Sequence, residues 1–314
     1  MKIGVLSDIH SNYYAFQACV DYMVQEGIQD FLLLGDYVSD TPYPERTMEL
    51  IYELRDKYTV HMLRGNREEY LLEQRAVQKG LKDGIKWPAN SASGNLLFTY
   101  ERLTKRDWAL FESLPITFRY EYEDYPAITC CHGSPGNARE LMQLNGENTK
   151  WWLAQIDTDY LLAAHTHFPG EAEHVGKHYF NTGCVGIAIG DAGYAQCMIL
   201  HGKEETVQGG ATWENAGTQR AVQKKWVPEF LKIPYDNHVV VKDIFTSGLH
   251  KMAPWFINSN IQILLTGEDH SAEMVAMANK LQAEATGEEA RWPLIEEKYF
   301  RQAAELLGIP DYEG

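Results

Sequence analysis

The chain has 314 residues and is acidic, with a formal charge of −16, 45% apolar residues and 12% aromatics. That length permits one large domain or two smaller ones, with ample apolar material for a core. The charge argues against stable nucleic-acid binding, because no long basic stripe answers a phosphate backbone, and no apolar run approaches the ~20 residues that span a bilayer.

Residues 1 to about 80 alternate between strand-like and helical patterns. The strand-like runs are 2–7, 31–34 and 60–64, with helical patterns near 13–26, 44–57 and 67–79. This rhythm predicts an α/β architecture with parallel strands. A loop over 81–95 leads into helices over 96–114, with Thr104 as an N-cap and Leu114-Pro115 as the stop, so 81–114 reads as a helical insertion. Short strands are expected at 116–122, 127–131, 160–164, 178–181 and 194–200, forming a second, more antiparallel sheet. Residues 202–225 are polar and read as an exposed excursion, followed by a strand at 227–235 and a helix near 236–249. From about 270 the tail is helical, with Ala272, Val275, Ala276 and Leu281 on one side, then Phe300, Ala303, Ala304 and Leu307. The apolar side of this tail needs a partner. It is expected to fold back near the rim of the strand ends or to mediate self-association. Residues 1–250 are therefore expected to form the main domain and 251–314 a helical extension packed on it.

Five short polar clusters punctuate this pattern: Asp8-Ile9-His10, Gly35-Asp36, Gly65-Asn66-Arg67-Glu68, His132-Gly133 and His165-Thr166-His167. The first three directly follow strand-like runs, and in an open α/β sheet ligands bind beyond the carboxyl ends of the strands. Asp8 and His10, like His165 and His167, stand two apart, which on a strand puts both on one face. Gly35 would let the backbone turn close to a bound group. Each cluster alone is a weak signal, since Asn favours turns and a single His is more often structural. Together Asp8, His10, Asp36, Asn66, His132, His165 and His167 offer two carboxylates, one amide and four imidazoles. That set is too rich for one ion and suits two ions that share a carboxylate. Imidazole suits manganese, iron, zinc and related ions. The five cysteines, Cys19, Cys130, Cys131, Cys184 and Cys197, form no C-x-x-C pair and read as reduced core thiols. Cys184, in a glycine-rich turn, is the one placed near a site. Met1-Lys2 runs straight into a strand with no secretory apolar region, so a cytoplasmic location is expected.

The clusters, in this order, resemble the calcineurin-like metallophosphoesterase superfamily, whose pattern runs D-x-H, G-D, G-N-H-[DE], H and G-H-x-H. The resemblance covers roughly residues 1–200. It is nearest to a small bacterial phosphodiesterase branch of YfcE-like and diadenosine-tetraphosphatase-like proteins. The residues that carry this are Ser7-Asp8-Ile9-His10-Ser11-Asn12, Gly35-Asp36-Tyr37-Val38 with Pro42-Tyr43-Pro44, His132-Gly133-Ser134-Pro135, and Asn181-Thr182-Gly183-Cys184-Val185-Gly186. Ile233-Pro234-Tyr235-Asp236 and the helix after it are similar to the branch's closing elements. The resemblance implies a four-layer αββα sandwich of two mixed sheets flanked by helices, here with a helical C-terminal extension. It implies one ion on Asp8, His10, Asp36 and His167 and another on Asp36, Asn66, His132 and His165. Manganese or iron is expected first, with zinc, nickel or cobalt as alternatives. The implied reaction is hydrolysis of phosphate esters or anhydrides by a metal-bridging hydroxide, on a small phosphorylated, nucleotide-like substrate. A protein serine/threonine phosphatase and a non-catalytic metal-binding scaffold are the alternatives.

Two departures from the family pattern stand out. Arg67 replaces the motif histidine, and Ala164 replaces the glycine before His165. The arginine that follows G-D in protein phosphatases is also absent from Gly35-Asp36-Tyr37-Val38-Ser39-Asp40. Arg67 is expected to bind phosphate, since its fork matches two phosphate oxygens. A salt bridge to Glu68 or Glu69 is the other role open to it. Asn12 is placed with Arg67 as a catalytic candidate.

Overall fold

Alternating apolar side chains along short strands set two sheets face to face. The computed structural model describes residues 1–208, 220–288 and 290–313. In chain order the elements are β1 (Lys2–Leu6), α1 (Tyr13–Gln25), β2 (Asp30–Leu33), α2 (Pro44–Lys57), β3 (Thr59–Met62), α3 (Asn66–Gln78), α4 (Gly94–Tyr100), α5 (Lys105–Ser113), β4 (Thr117–Tyr120) and β5 (Ile128–Cys131). They continue with α6 (Glu147–Gln155), β6 (Tyr160–Ala163), β7 (Gly170–His174), β8 (Lys177–Asn181), β9 (Tyr194–Gln208), β10 (Arg220–Pro234), α7 (Asn237–Thr246), α8 (Leu249–Met252), α9 (Pro254–Thr266), α10 (Ser271–Thr286) and α11 (Glu297–Leu307).

One sheet has the order β10-β9-β1-β2-β3 and the other β4-β5-β6-β8-β7. In the first, β1, β2 and β3 run parallel while β9 and β10 are antiparallel additions. In the second, β5, β6 and β8 run parallel between antiparallel edges β4 and β7. Successive residues of a strand face opposite sides. Thus Ile3, Val5, Leu32, Leu34, Met198 and Leu200 meet Ile128, Cys130, Leu162 and Phe180 between the sheets. Leu6, Phe31, Leu33, Cys197 and Ile199 instead pack under α1, α2 and α5, and Cys131, Leu161 and Ala163 pack under α6. The result is the expected four-layer sandwich.

Thr104 caps α5: its hydroxyl accepts from the Asp107 backbone N–H while the Asp107 carboxylate accepts in return. The expected excursion at 202–225 is corrected for its described part. Residues 202–208 and 220–225 are strand, the outer half of the β9–β10 ribbon. The side chains of 202–206 and 222–225 are mostly exposed, and cross-strand ion pairs such as Lys225–Glu205 at 2.6 Å replace apolar alternation. The remainder of that stretch lies outside the described residues.

Two further apolar clusters belong to the C-terminal half. Helices α7 to α9 pack Val240, Ile244, Leu249, Ile257 and Ile261 against Phe98, Cys184 and Ile187 of the body. Helices α10 and α11 form their own small core around Met274, Phe300, Ala303 and Ala304. That pair is tied to the insertion before α4, where Glu297 accepts hydrogen bonds from the Ser91 hydroxyl at 2.5 Å and backbone N–H at 2.9 Å.

Candidate metal centre

The five clusters meet at one end of the paired sheets. Asp8 and His10 follow β1, Asp36 follows β2, Asn66 and Arg67 open α3, His132 follows β5, and His165 and His167 follow β6. The strand pleat is not what aligns the two-apart pairs, because β1 ends at Leu6 and β6 at Ala163. Asp8 and His10 have φ of 51° and 49°, and His165 and His167 have 67° and 60°. Left-handed backbone at a side-chain-bearing residue costs about 1–2 kcal/mol, so the surroundings must enforce it. They do so through hydrogen bonds between loops: the N–H groups of Asp8, His10 and Ser11 donate to the carbonyls of Gly35, Asp36 and Tyr37 at 3.1, 3.0 and 3.0 Å. On the other flank Val185 and Gly186 donate to the carbonyls of Ser7 and Asp8 at 3.1 and 2.9 Å. Gly35 and Gly65 lie back to back. A Cβ on Gly65 would fall 2.2 Å from the Asp36 carboxylate, and one on Gly35 would fall 2.4 Å from the Gly65 nitrogen.

The side chains form two groups that share Asp36. Asp8, His10 and Asp36 place ligand atoms within 4.8 Å of one another, and so do Asp36, His132 and His165. One carboxylate oxygen of Asp36 lies 4.0 Å from His10 Nε2, and the other lies 3.5 Å from His132 Nε2. His10 Nε2 and His167 Nε2 face each other at 3.2 Å, and Asn66 Oδ1 lies 2.9 Å from His132 Nε2. Asp8 Oδ1 is buried and accepts no hydrogen bond, although His167 Nε2 stands 3.3 Å away.

This arrangement draws positive charge. Burial favours the neutral ring of His132, but the Asp36 and Asp8 carboxylates outweigh it and push the imidazole up to about 9. Burial likewise opposes ionisation of Asp8, yet His167, His132 and His10 hold its carboxyl well below the usual range. Burial and the neighbouring His132 hold the His165 ring down to about 4. Two facing imidazole nitrogens beside an unpartnered carboxylate oxygen fit bound cations, with oxygen and nitrogen donors of the kind transition ions take.

The support beneath these groups includes residues the motif pattern does not single out. Asp40 is fully buried, with Oδ2 3.0 Å from His10 Nδ1 and 2.8 Å from Arg67 Nη2. Its other oxygen accepts from Asn95, and Asn260 of α9 donates to its backbone carbonyl at 3.2 Å. Burial opposes its ionisation, but the Arg67 guanidinium and then His10 hold its carboxyl well below the usual range. Asp40 thus stands on the Nδ1 side of His10, with Nε2 toward the cluster. His132 is oriented similarly, its Nδ1 lying 2.8 Å from the Leu34 carbonyl. Glu68 accepts from the backbone N–H groups of Asp36, Tyr37 and Gly65 at 2.9, 2.9 and 2.8 Å. Cys184 joins His10 and His167 in a third close group, its thiol donating to the Asp8 carbonyl at 3.2 Å. All five cysteines are buried and free.

Asn12 and Arg67 have partners that the motif pattern does not name. The Asn12 side chain is occupied elsewhere: Oδ1 caps α1 by accepting from Ala15 at 3.2 Å, while Nδ2 donates to the Gly186 carbonyl at 2.7 Å and to the Tyr235 hydroxyl at 3.2 Å. These bonds link Asn12 to the start of α1, the Gly186 turn and Tyr235. Arg67 does not pair with Glu68 or Glu69, because Glu68 is bound to backbone and Glu69 faces Arg64 and Arg139. Arg67 reaches inward to Asp40 instead, and its Nε, 3.9 Å from Asp36 Oδ2, is buried without a hydrogen-bond partner. Asp40 is recognisable in the sequence only as one more polar turn residue.

Residues 1–186 match the sequence model of the calcineurin-like phosphoesterases. No curated protein matches the chain. Among solved structures, a hypothetical protein from Pyrococcus horikoshii OT3 is 19% identical with a TM-score of 0.65, over 85% of this chain and 99% of that one. A metallophosphoesterase from Sphaerobacter thermophilus is 20% identical with a TM-score of 0.60, over 85% of this chain and 100% of that one. Likeness at this identity speaks for the fold alone. Among the described residues no helix is long and apolar enough to cross a membrane.

Proposed function

The chain belongs to the calcineurin-like phosphoesterase family, and on that premise we propose that this metal-dependent phosphoester hydrolase uses two transition-metal ions to cleave phosphodiesters or phosphoanhydrides of nucleotide-like substrates. The observation that carries the two-ion reading is Asp36, whose two oxygens face His10 on one side and His132 on the other. Asp8, His10, Asp36 and His167 would hold one ion, and Asp36, Asn66, His132 and His165 the other, manganese or iron being the best match to this donor set. Bound ions would supply charge to the phosphoryl oxygens and would acidify water.

The chain's own contribution to turnover centres on Arg67. Guanidinium stays protonated and cannot act as a general acid. Its guanidinium, partly exposed beside Asp36, is instead a donor suited to a phosphoryl oxygen and would stabilise charge as that charge develops. Asp40 holds the guanidinium in place at 2.8 Å. With no acid at this position, leaving groups that depart without a proton are favoured, namely phosphoanhydrides and aryl esters. Residues 1–250 serve as the catalytic body in this reading and 251–314 as its extension. The test is a manganese-loaded assay over bis(p-nitrophenyl) phosphate, a dinucleoside polyphosphate, alkyl phosphates and phosphopeptides. Metal-dependent cleavage of the first two, well above the others, is expected. Preference for phosphopeptides would contradict it.

A further inference from the structure

Arg67 has a second face. Away from Asp40 it lines a cleft of about 300 Å³ with Tyr70, Leu96, Phe256, Val275 and Trp292. The cleft adjoins a space of about 480 Å³ that shares Arg67, Phe256, Val275 and Trp292 and is also lined by Ser271 and Asn279. Its near wall is α3 and its far wall is α9, α10 and the segment before α11. Three features suit it to a flat, partly polar ring. Trp292 is 43% exposed, yet its indole N–H is anchored to the Ala92 carbonyl at 3.0 Å and its ring lies 6.2 Å from that of Tyr70. A bare, fixed aromatic face is a stacking surface rather than a loose side chain. Ser271 and Asn279 bring polar side chains to a lining that is otherwise mostly apolar. Arg67 joins the cleft to the cluster, with Nε 3.9 Å from Asp36.

We propose that this cleft, walled by the C-terminal helices, holds the nucleobase of a nucleoside phosphate whose phosphate is gripped by Arg67. The assignment rests on the phosphoesterase reading for the direction of the phosphate. It commits to a nucleobase rather than a plain aryl ring because the lining adds the polar side chains of Ser271 and Asn279 to the aromatic and aliphatic ones, which suits a ring with hydrogen-bonding edges. The C-terminal extension then acts as the specificity element of the enzyme.

Calorimetry on the manganese-loaded full chain tests this, with adenosine monophosphate and ribose 5-phosphate as probes that differ only in the base. Base–aromatic stacking is worth about tenfold or more in affinity. Wild type should bind adenosine monophosphate at least ~10-fold tighter than ribose 5-phosphate. Trp292→Ala should remove that preference while leaving ribose 5-phosphate affinity in place. Val275→Trp, which fills the cleft without removing the indole, should do the same, so a misfolded Trp292→Ala protein does not decide the outcome. Equal affinity for both probes in wild type, or a preference that survives Val275→Trp, overturns the assignment. Binding needs no turnover. A protein that cleaves no diester yet keeps the base preference would refute the hydrolase reading and support the cleft.

Discussion

The loops at the strand ends and the helices that face them across Arg67 hold their backbone in opposite ways. Ten non-glycine residues adopt positive φ among the described residues, and eight of them, Asp8, His10, Ser11, Asp36, Ser39, Asp40, His165 and His167, lie in the loops around the metal cluster. From α7 onward the positive-φ residues among those described are all glycines, with Gly267, Gly287 and Gly308 ending α9, α10 and α11. Glycine adopts that conformation without a Cβ clash, so the helical wall is relaxed where the loops are strained. The loops are held by hydrogen bonds between them and by the fully buried carboxylates of Asp40 and Glu68. On the proposed reading the difference separates two tasks: the strained part would fix metal ligands, and the relaxed part would shape what reaches them.

If the tasks are separate, damage on the two sides should differ in kind and size. The largest effect belongs to Asp36→Asn, which should lower kcat/KM by at least ~10²–10³-fold, the scale of losing one major electrostatic contact. Turnover near wild type would refute its central place. Next is Asp40→Asn, which removes the charge that orients His10 and Arg67 together. Its metal affinity, read by titration calorimetry, should weaken by about 10–100-fold. Unchanged affinity would reduce Asp40 to a packing residue. Arg67→Ala should retain its metals but lose about tenfold or more in kcat/KM on aryl diesters, and Arg67→His should gain relative activity on alkyl esters, since a positioned acid contributes ~10²–10⁴-fold. A leaving-group series on all three proteins checks this, and a flat dependence in wild type would count against it. The smallest effect is expected on the helical side. Asn260→Leu removes one hydrogen bond to the Asp40 carbonyl, worth about 1 kcal/mol. It should lower Tm by about 2 °C while metal content stays at the wild-type level. Loss of metal in Asn260→Leu would mean the two regions are not separate.

The two regions also differ in how far their roles are legible in the sequence. The candidate ligands sit in short local motifs, so the amino-acid pattern by itself assembles seven residues from five places. The reason they converge is not legible there: a two-apart spacing suggests a strand face, whereas Asp8 and His10 lie past the end of β1 in left-handed backbone. Strand β7, Gly-Glu-Ala-Glu-His, has few strand-forming residues and is only half covered at an edge. Helix α9 carries Asn258, Ser259, Asn260 and Gln262 buried among apolar residues, which erases its helical stripe. In the described parts of the ribbon the side chains of 202–206 and 222–225 are mostly exposed, so their polar sequence imitates a loop. Asp40 and Trp292 gain meaning only from partners distant in the chain, Asn95 and Asn260 for one and Tyr70 and Ala92 for the other. Pairings at that separation leave no local pattern.

The central claim is that Asp36 ties two cation sites into one centre, and metal stoichiometry tests it most directly. Titration of the metal-free wild-type chain with manganese, followed by elemental analysis after desalting, should give two ions per chain, and Asp36→Asn should lose both together. One ion per wild-type chain, or two ions retained by Asp36→Asn, would contradict the account.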